Sequence, residues 1–133
     1  MNKSISGRCH CGSVEWEAKL PPKIVLNCHC HMCRELSGAD YSSWVVMKSN
    51  QFTLVKGSDI LSRYQATEKF SKSFCSKCGS TVSCVNDEKF PDHIYVARGN
   101  ISSEIELAVN LQVYTDDKAD WLVLNEAIPV YNP

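Results

Sequence analysis

Three cysteines and two histidines fall within six positions of the stretch Cys28-His29-Cys30-His31-Met32-Cys33. Thiolates and imidazoles are the side chains that bind zinc. A zinc ion takes four protein ligands in a closed tetrahedron when structural, and three plus an open position when it does chemistry. Five donors so close together cannot all serve one ion, so the rest of the chain must show which are ligands. Its eight cysteines form four groups: Cys9/Cys11, Cys28/Cys30/Cys33, Cys75/Cys78 and Cys84 alone. C-x-C and C-x-x-C pairs chelate one ion from a tight turn, whereas crosslinks gain most by joining distant segments. The spacing therefore reads as reduced metal ligands rather than disulfides.

Two of the pairs come from distant segments and together make one four-thiolate site: Cys9 and Cys11 with Cys75 and Cys78. Gly12 and Gly79 each follow a pair, where glycine lets the backbone N–H groups turn towards the sulfurs. Cys28, Cys30 and Cys33 remain as a C-x-C-x-x-C loop able to put three thiolates on one face of a second ion. Two outcomes stay open for it: an open, catalytic type of site, or a closed one completed by Cys84, His29, His31 or His10. Alternation along the loop points the histidines away from the ion that their cysteine neighbours bind, and leaves them as surface or supporting imidazoles. Cys84 reads as a buried free thiol.

The elements that must position these groups are mostly strands. Val14, Trp16 and Ala18 alternate with polar residues, as in a half-buried strand ended by Pro21-Pro22. Ile24 to Leu26 forms a short strand delivering the chain into the cysteine loop. A short helix over Arg34 to Leu36 follows, stopped by Gly38. Strands at Trp44–Met47, Phe52–Val55 and Ile60–Gln65 come next, with turn residues between them. Another pair flanks the Cys75–Gly79 knuckle, and two more are expected at His93–Ala97 and Glu104–Tyr114. The tail, Trp121–Tyr131, is expected to hold one helical turn. The fold class is all-β: folded antiparallel sheets with at most short helical turns, in one domain spanning 1–133.

Other side chains have weaker claims. Arg34, next to the loop, could hold the carboxylate of a substrate, and Lys69 and Lys72 offer a similar weak case; the reading as a surface charge, or for Arg34 a helix-end ion pair, comes first. Tyr41, Trp44 and Phe74 read as core, with Phe74 placed to cover the knuckle sulfurs. His93 reads as a solvated or packed residue.

Composition narrows the function classes. A charged fraction of 22% and a net charge of −1 give no basic stripe, and the paired cysteines lack a recognition helix, so nucleic acid is not expected as a partner. No apolar run approaches the ~20 residues of a membrane span. The first residues lack a signal-peptide core, which points to the cytoplasm.

Cys9-His10-Cys11-Gly12, Cys28-His29-Cys30-His31-Met32-Cys33-Arg34, Gly38-Ala39 and Phe74-Cys75-Ser76-Lys77-Cys78-Gly79-Ser80 appear in order, followed by Gly99 and Trp121. The series resembles the glutathione-dependent formaldehyde-activating enzyme family, whose fold is the zinc-binding Mss4-like type. The resemblance implies a structural zinc on Cys9, Cys11, Cys75 and Cys78, and a catalytic zinc on Cys28, Cys30 and Cys33. It also implies a carbon–sulfur lyase whose partners are a glutathione-like thiol and a small aldehyde such as formaldehyde, joined as S-hydroxymethylglutathione. The chain would act as a monomer or homodimer. The alternative is a non-catalytic zinc-stapled β-domain that binds a partner.

Overall fold

The computed structural model describes residues 3–133. Eleven strands and one short helix follow the chain: β1 (Ser4–Arg8), β2 (Glu15–Lys19), β3 (Ile24–Cys28), α1 (His31–Ser37), β4 (Ser42–Lys48), β5 (Phe52–Lys56), β6 (Leu61–Gln65), β7 (Phe70–Cys75), β8 (Thr81–Asn86), β9 (His93–Ala97), β10 (Leu111–Val113) and β11 (Val130–Tyr131). They form a three-stranded sheet, β1-β2-β5, and an eight-stranded sheet, β11-β10-β3-β4-β9-β8-β7-β6. The all-β class read from the sequence is correct. Pairing is antiparallel except at β10, which runs parallel to both β3 and β11.

The larger sheet carries a core on each face. Strand β4 shows why: Val45 and Met47 point to one side, Trp44 and Val46 to the other, and all four are buried. A strand covered on both faces reads as a continuous apolar run rather than an alternation. The first core joins Val45, Met47, Val25 and Val96 to Ile5, Val14, Trp16 and Ala18 of the small sheet, and includes Cys9 and Cys75. The second gathers Leu26, Trp44, Val46, Phe70, Tyr95 and Val113, and includes Cys28, Cys33 and Cys84. Cys9 and Cys75 are thus rooted in one core, and Cys28, Cys33 and Cys84 in the other.

Three expectations need correction, and one strand, β1, was not expected at all. β1 carries one large apolar residue, Ile5, too little for a strand signal, yet its backbone pairs with β2 from Ser4 to Arg8. The helix begins at His31, so Cys33 lies on it, and Gly38 ends it by donating its N–H to the Arg34 carbonyl. Of Glu104–Tyr114 only Leu111–Val113 is a strand. Ile105, Leu107 and Val109 do alternate onto the first core, but side chains hold that segment. Arg98 Nε donates to the Leu107 carbonyl at 3.0 Å, and Asn110 Oδ1 accepts the Val25 N–H at 2.9 Å. The tail forms turns and the short β11 instead of a helical turn. Gln112 fixes it along β10, its Nε2 donating to the Asn125 and Ile128 carbonyls.

Candidate metal centres and the adjoining cavity

Two turns bring the first four sulfurs together. Gly12 and Gly79 both sit at φ +79°, in the left-handed region that glycine enters without strain. Their N–H groups donate to the Cys9 carbonyl at 3.1 Å and the Cys75 carbonyl at 2.8 Å, closing matching knuckles. The Cys9, Cys11, Cys75 and Cys78 sulfurs all lie within 4.8 Å of one another. Cys11 Sγ is 3.7 Å from both Cys9 Sγ and Cys75 Sγ. With Zn–S bonds of about 2.3 Å, the edge of a tetrahedron is about 3.8 Å, so the spacing suits one ion and is far too long for a disulfide. The Val14 N–H donates to Cys9 Sγ at 3.3 Å, and the Ser13 and Ser80 hydroxyls lie 3.3 Å from Cys11 Sγ and 3.2 Å from Cys78 Sγ. Such donors stabilise thiolate: Ser80 lowers the Cys78 thiol to about 5, and Ser13 lowers Cys11. Burial raises Cys75.

The second group is built by the end of β3 and the start of α1. Cys28 closes the strand, Cys30 caps the helix with its sulfur accepting the Cys33 N–H at 3.3 Å, and Cys33 points back from the first turn. The three sulfurs lie within 4.8 Å of one another. Hydrogen bonds from Cys28 and Cys33 lower the Cys30 thiol to about 3. The same contact with Cys30 raises Cys28 to about 12, and Cys28 and Cys30 raise Cys33. One anionic charge is therefore easy in this trio and the next two are hard, which is the electrostatic condition a bound cation relieves.

None of the other candidate donors joins either group. His29 is 1% exposed, its ring tilted against that of Tyr41 at 5.0 Å between centroids, and neither ring nitrogen has a hydrogen-bond partner among the described residues. It is neither a surface nor a supporting imidazole. Burial, followed by Lys118 and Arg34, disfavours its charged form. His10 and His31 are exposed, and His93 is half-buried beside Phe90. Cys84 is buried, as expected, and burial raises its thiol.

Arg34 is occupied elsewhere. Its guanidinium donates to the Asp117 carbonyl at 2.9 Å and lies 5.7 Å from the Trp121 ring centroid, tying α1 to the tail. Lys72 Nζ donates to the Leu36 carbonyl at 2.6 Å.

A cavity of about 480 Å³ opens beside Cys28, Cys30 and Cys33, within the range of small-molecule sites. Its inner walls are apolar and aromatic, and its exposed edge carries Lys69, Glu88 and Lys89. A smaller one of about 260 Å³ touches Cys33 and contains Tyr41 and Lys72 in its walls. Trp44 and Cys84 border both, so Trp44, read as core, is also cavity wall. The sequence had marked β9 as a strand but gave Tyr95 no role. Its alternation with Ile94 and Val96 was the available signal that it faces the side of the cysteine loop.

A profile of the glutathione-dependent formaldehyde-activating enzyme family matches residues 4–117. The chain belongs to that family. The crystal structure of a Rhodobacter sphaeroides protein is similar at a TM-score of 0.64 and 24% identity, covering 74% of this chain and 88% of that one. That likeness supports the fold. No curated protein matches the chain in sequence. Among the described residues no helix is long and apolar enough to cross a membrane.

Proposed function

We propose that the chain adds a glutathione-like thiol to formaldehyde or a similar small aldehyde, as a carbon–sulfur lyase-type enzyme with two zinc ions. The observation that carries this is the trio Cys28, Cys30 and Cys33, one ligand short of a closed site and facing a cavity of about 480 Å³. Cys9, Cys11, Cys75 and Cys78 would hold a structural ion, and the trio a second one. A zinc on the trio would supply the positive charge that keeps an incoming thiol deprotonated. Three anionic sulfurs make such an ion a poor Lewis acid, so the thiol rather than the aldehyde is the partner it favours.

The chain's own residues do the rest. Cys30, held as thiolate by its neighbours and the α1 N-terminus, and Cys28, fixed at the end of β3, set the site's geometry. The apolar walls exclude water from the reacting sulfur and carbon. Lys69 and Lys89 at the edge suit the carboxylates of a peptide thiol, with Glu88 suited to its ammonium group. Balance is simple: a carbon–sulfur bond forms, the carbonyl π bond opens, and the thiol proton ends on oxygen.

The test is the rate at which S-hydroxymethylglutathione forms from glutathione and formaldehyde, followed by NMR exchange. Acceleration over both buffer and zinc-free protein is expected. An unchanged rate would reject the reading and favour the non-catalytic binding domain.

A further inference from the structure

Tyr95 is a buried residue of the larger cavity whose chemistry remains unused. It stands on β9 opposite Val46 of β4 and Cys84 of β8. Its ring is wedged edge-on against Trp44 (centroids 6.4 Å, 81°) and tilted against Phe90 (6.2 Å, 40°). The residue is only 7% exposed. The Tyr95 hydroxyl is not among the sealed polar atoms. It makes no hydrogen bond to another described residue, and the residue lines the cavity that Cys28, Cys30 and Cys33 bound. Burial disfavours its ionised form, so the phenol keeps its proton. A donor without a protein partner, its ring fixed by two aromatic neighbours, is preorganised for a ligand oxygen, since no protein hydrogen bond has to be broken first.

We propose that Tyr95 is a catalytic residue: its O–H donates a hydrogen bond to the carbonyl oxygen of the aldehyde as the thiolate adds to the carbon. This rests on the reading of the site as a thiol-addition centre. The carbon–sulfur bond forms while the π pair moves onto oxygen, where negative charge grows and the phenol's hydrogen bond strengthens. The proton lost by the thiol on binding then reaches that oxygen, and Tyr95 ends as it began. A donor that bonds more strongly to the product-like oxygen than to the ground-state carbonyl accelerates the step itself rather than tightening substrate binding.

Tyr95→Phe removes one oxygen and keeps the ring that packs on Trp44 and Phe90. In the zinc-replete enzyme we expect kcat for S-hydroxymethylglutathione formation to fall about 10²–10³-fold, the loss on removing one oxyanion donor, with KM for glutathione and the zinc content unchanged. A kcat within twofold of wild type overturns the proposal.

A second readout needs no turnover: calorimetric binding of S-(2-hydroxyethyl)glutathione, which carries a hydroxyl near the reacting oxygen, against S-ethylglutathione, which lacks it. Wild type is expected to prefer the hydroxyl compound by about tenfold and Tyr95→Phe to show no preference. Equal preference in the two proteins, or no binding of either compound to wild type, overturns the role of Tyr95. If wild type accelerates nothing yet discriminates the two compounds and the variant does not, the thiol-addition reading fails while Tyr95 stands as the cavity's donor.

Discussion

Replacing Cys75 by serine should loosen the whole domain, and by an amount that follows from chain connectivity. Cys75 is fully buried at the end of β7, and its sulfur lies 3.7 Å from that of Cys11, 64 positions earlier. An ion across that gap acts as a crosslink on the unfolded chain. For a closed loop of this length the chain-entropy relation gives about 4 kcal/mol, treating the metal bridge like a covalent one. Folded domains hold only about 5–15 kcal/mol in total, so the loss is a large share. At about 4 °C per kcal/mol for a chain of this size, the melting temperature should drop by roughly 15 °C. Thermal unfolding of zinc-replete protein by far-UV circular dichroism measures the drop, and a chromophoric chelator counts the released ions. A melting temperature within about 3 °C of wild type, with the ion count unchanged, would refute the reasoning.

Other perturbations separate the sites. Cys30→Ser should cost one ion and leave the protein folded, since Cys28, Cys30 and Cys33 sit five positions apart on elements already ordered by β3 and α1; loss of both ions together would sink the two-site assignment. Metal affinity of the trio should climb steeply with pH. Cys30 is lowered and already ionised, whereas Cys28 (about 12) and Cys33 are raised and must each release a proton on binding. Chelator competition, following the ion that is lost in Cys30→Ser, should show close to a hundredfold gain per unit between about pH 6 and pH 8; a flat profile contradicts it. Gly79→Ala meets nothing within 4 Å but must hold φ +79°, so about 1–2 kcal/mol should be lost in denaturant titration without any effect from crowding. Arg34→Ala should leave KM for glutathione unchanged while increasing hydrogen exchange in the tail that it binds through Asp117; a raised KM would restore Arg34 as a substrate contact.

The cysteine partition was legible because spacing is a local property: C-x-C and C-x-x-C pairs announce chelating turns wherever they fold. The strands that survive burial on both faces, β3 and β4, were legible for the same reason, as apolar runs. What escaped depends on long-range partners. β1 has too few apolar residues to announce itself and exists because β2 offers it an edge. Ile105, Leu107 and Val109 do alternate onto the core, but the strand expected over Glu104–Tyr114 is there only at Leu111–Val113, because period alone does not say whether a strand stands alongside to pair with it. His29 was expected to turn away from the metal loop, and it lies outside the cysteine cluster; that it is buried beside the Tyr41 ring depends on a residue twelve positions later. The cavity is the least legible part. Its walls come from β3, β4, β7, β8, β9, β10, β11 and α1, and only their assembly places Tyr95 and the three thiols around one space.

The central claim is that the trio of cysteines holds an ion with a position left open for a thiol. Its most direct test is the zinc content and zinc exchange rate of protein prepared without chelator, measured alone and with glutathione. The account predicts two ions per chain, one inert and one labile, with the labile ion's exchange altered by glutathione and absent in Cys30→Ser. Two equally inert ions, indifferent to glutathione, would mean that both sites are closed and would contradict it.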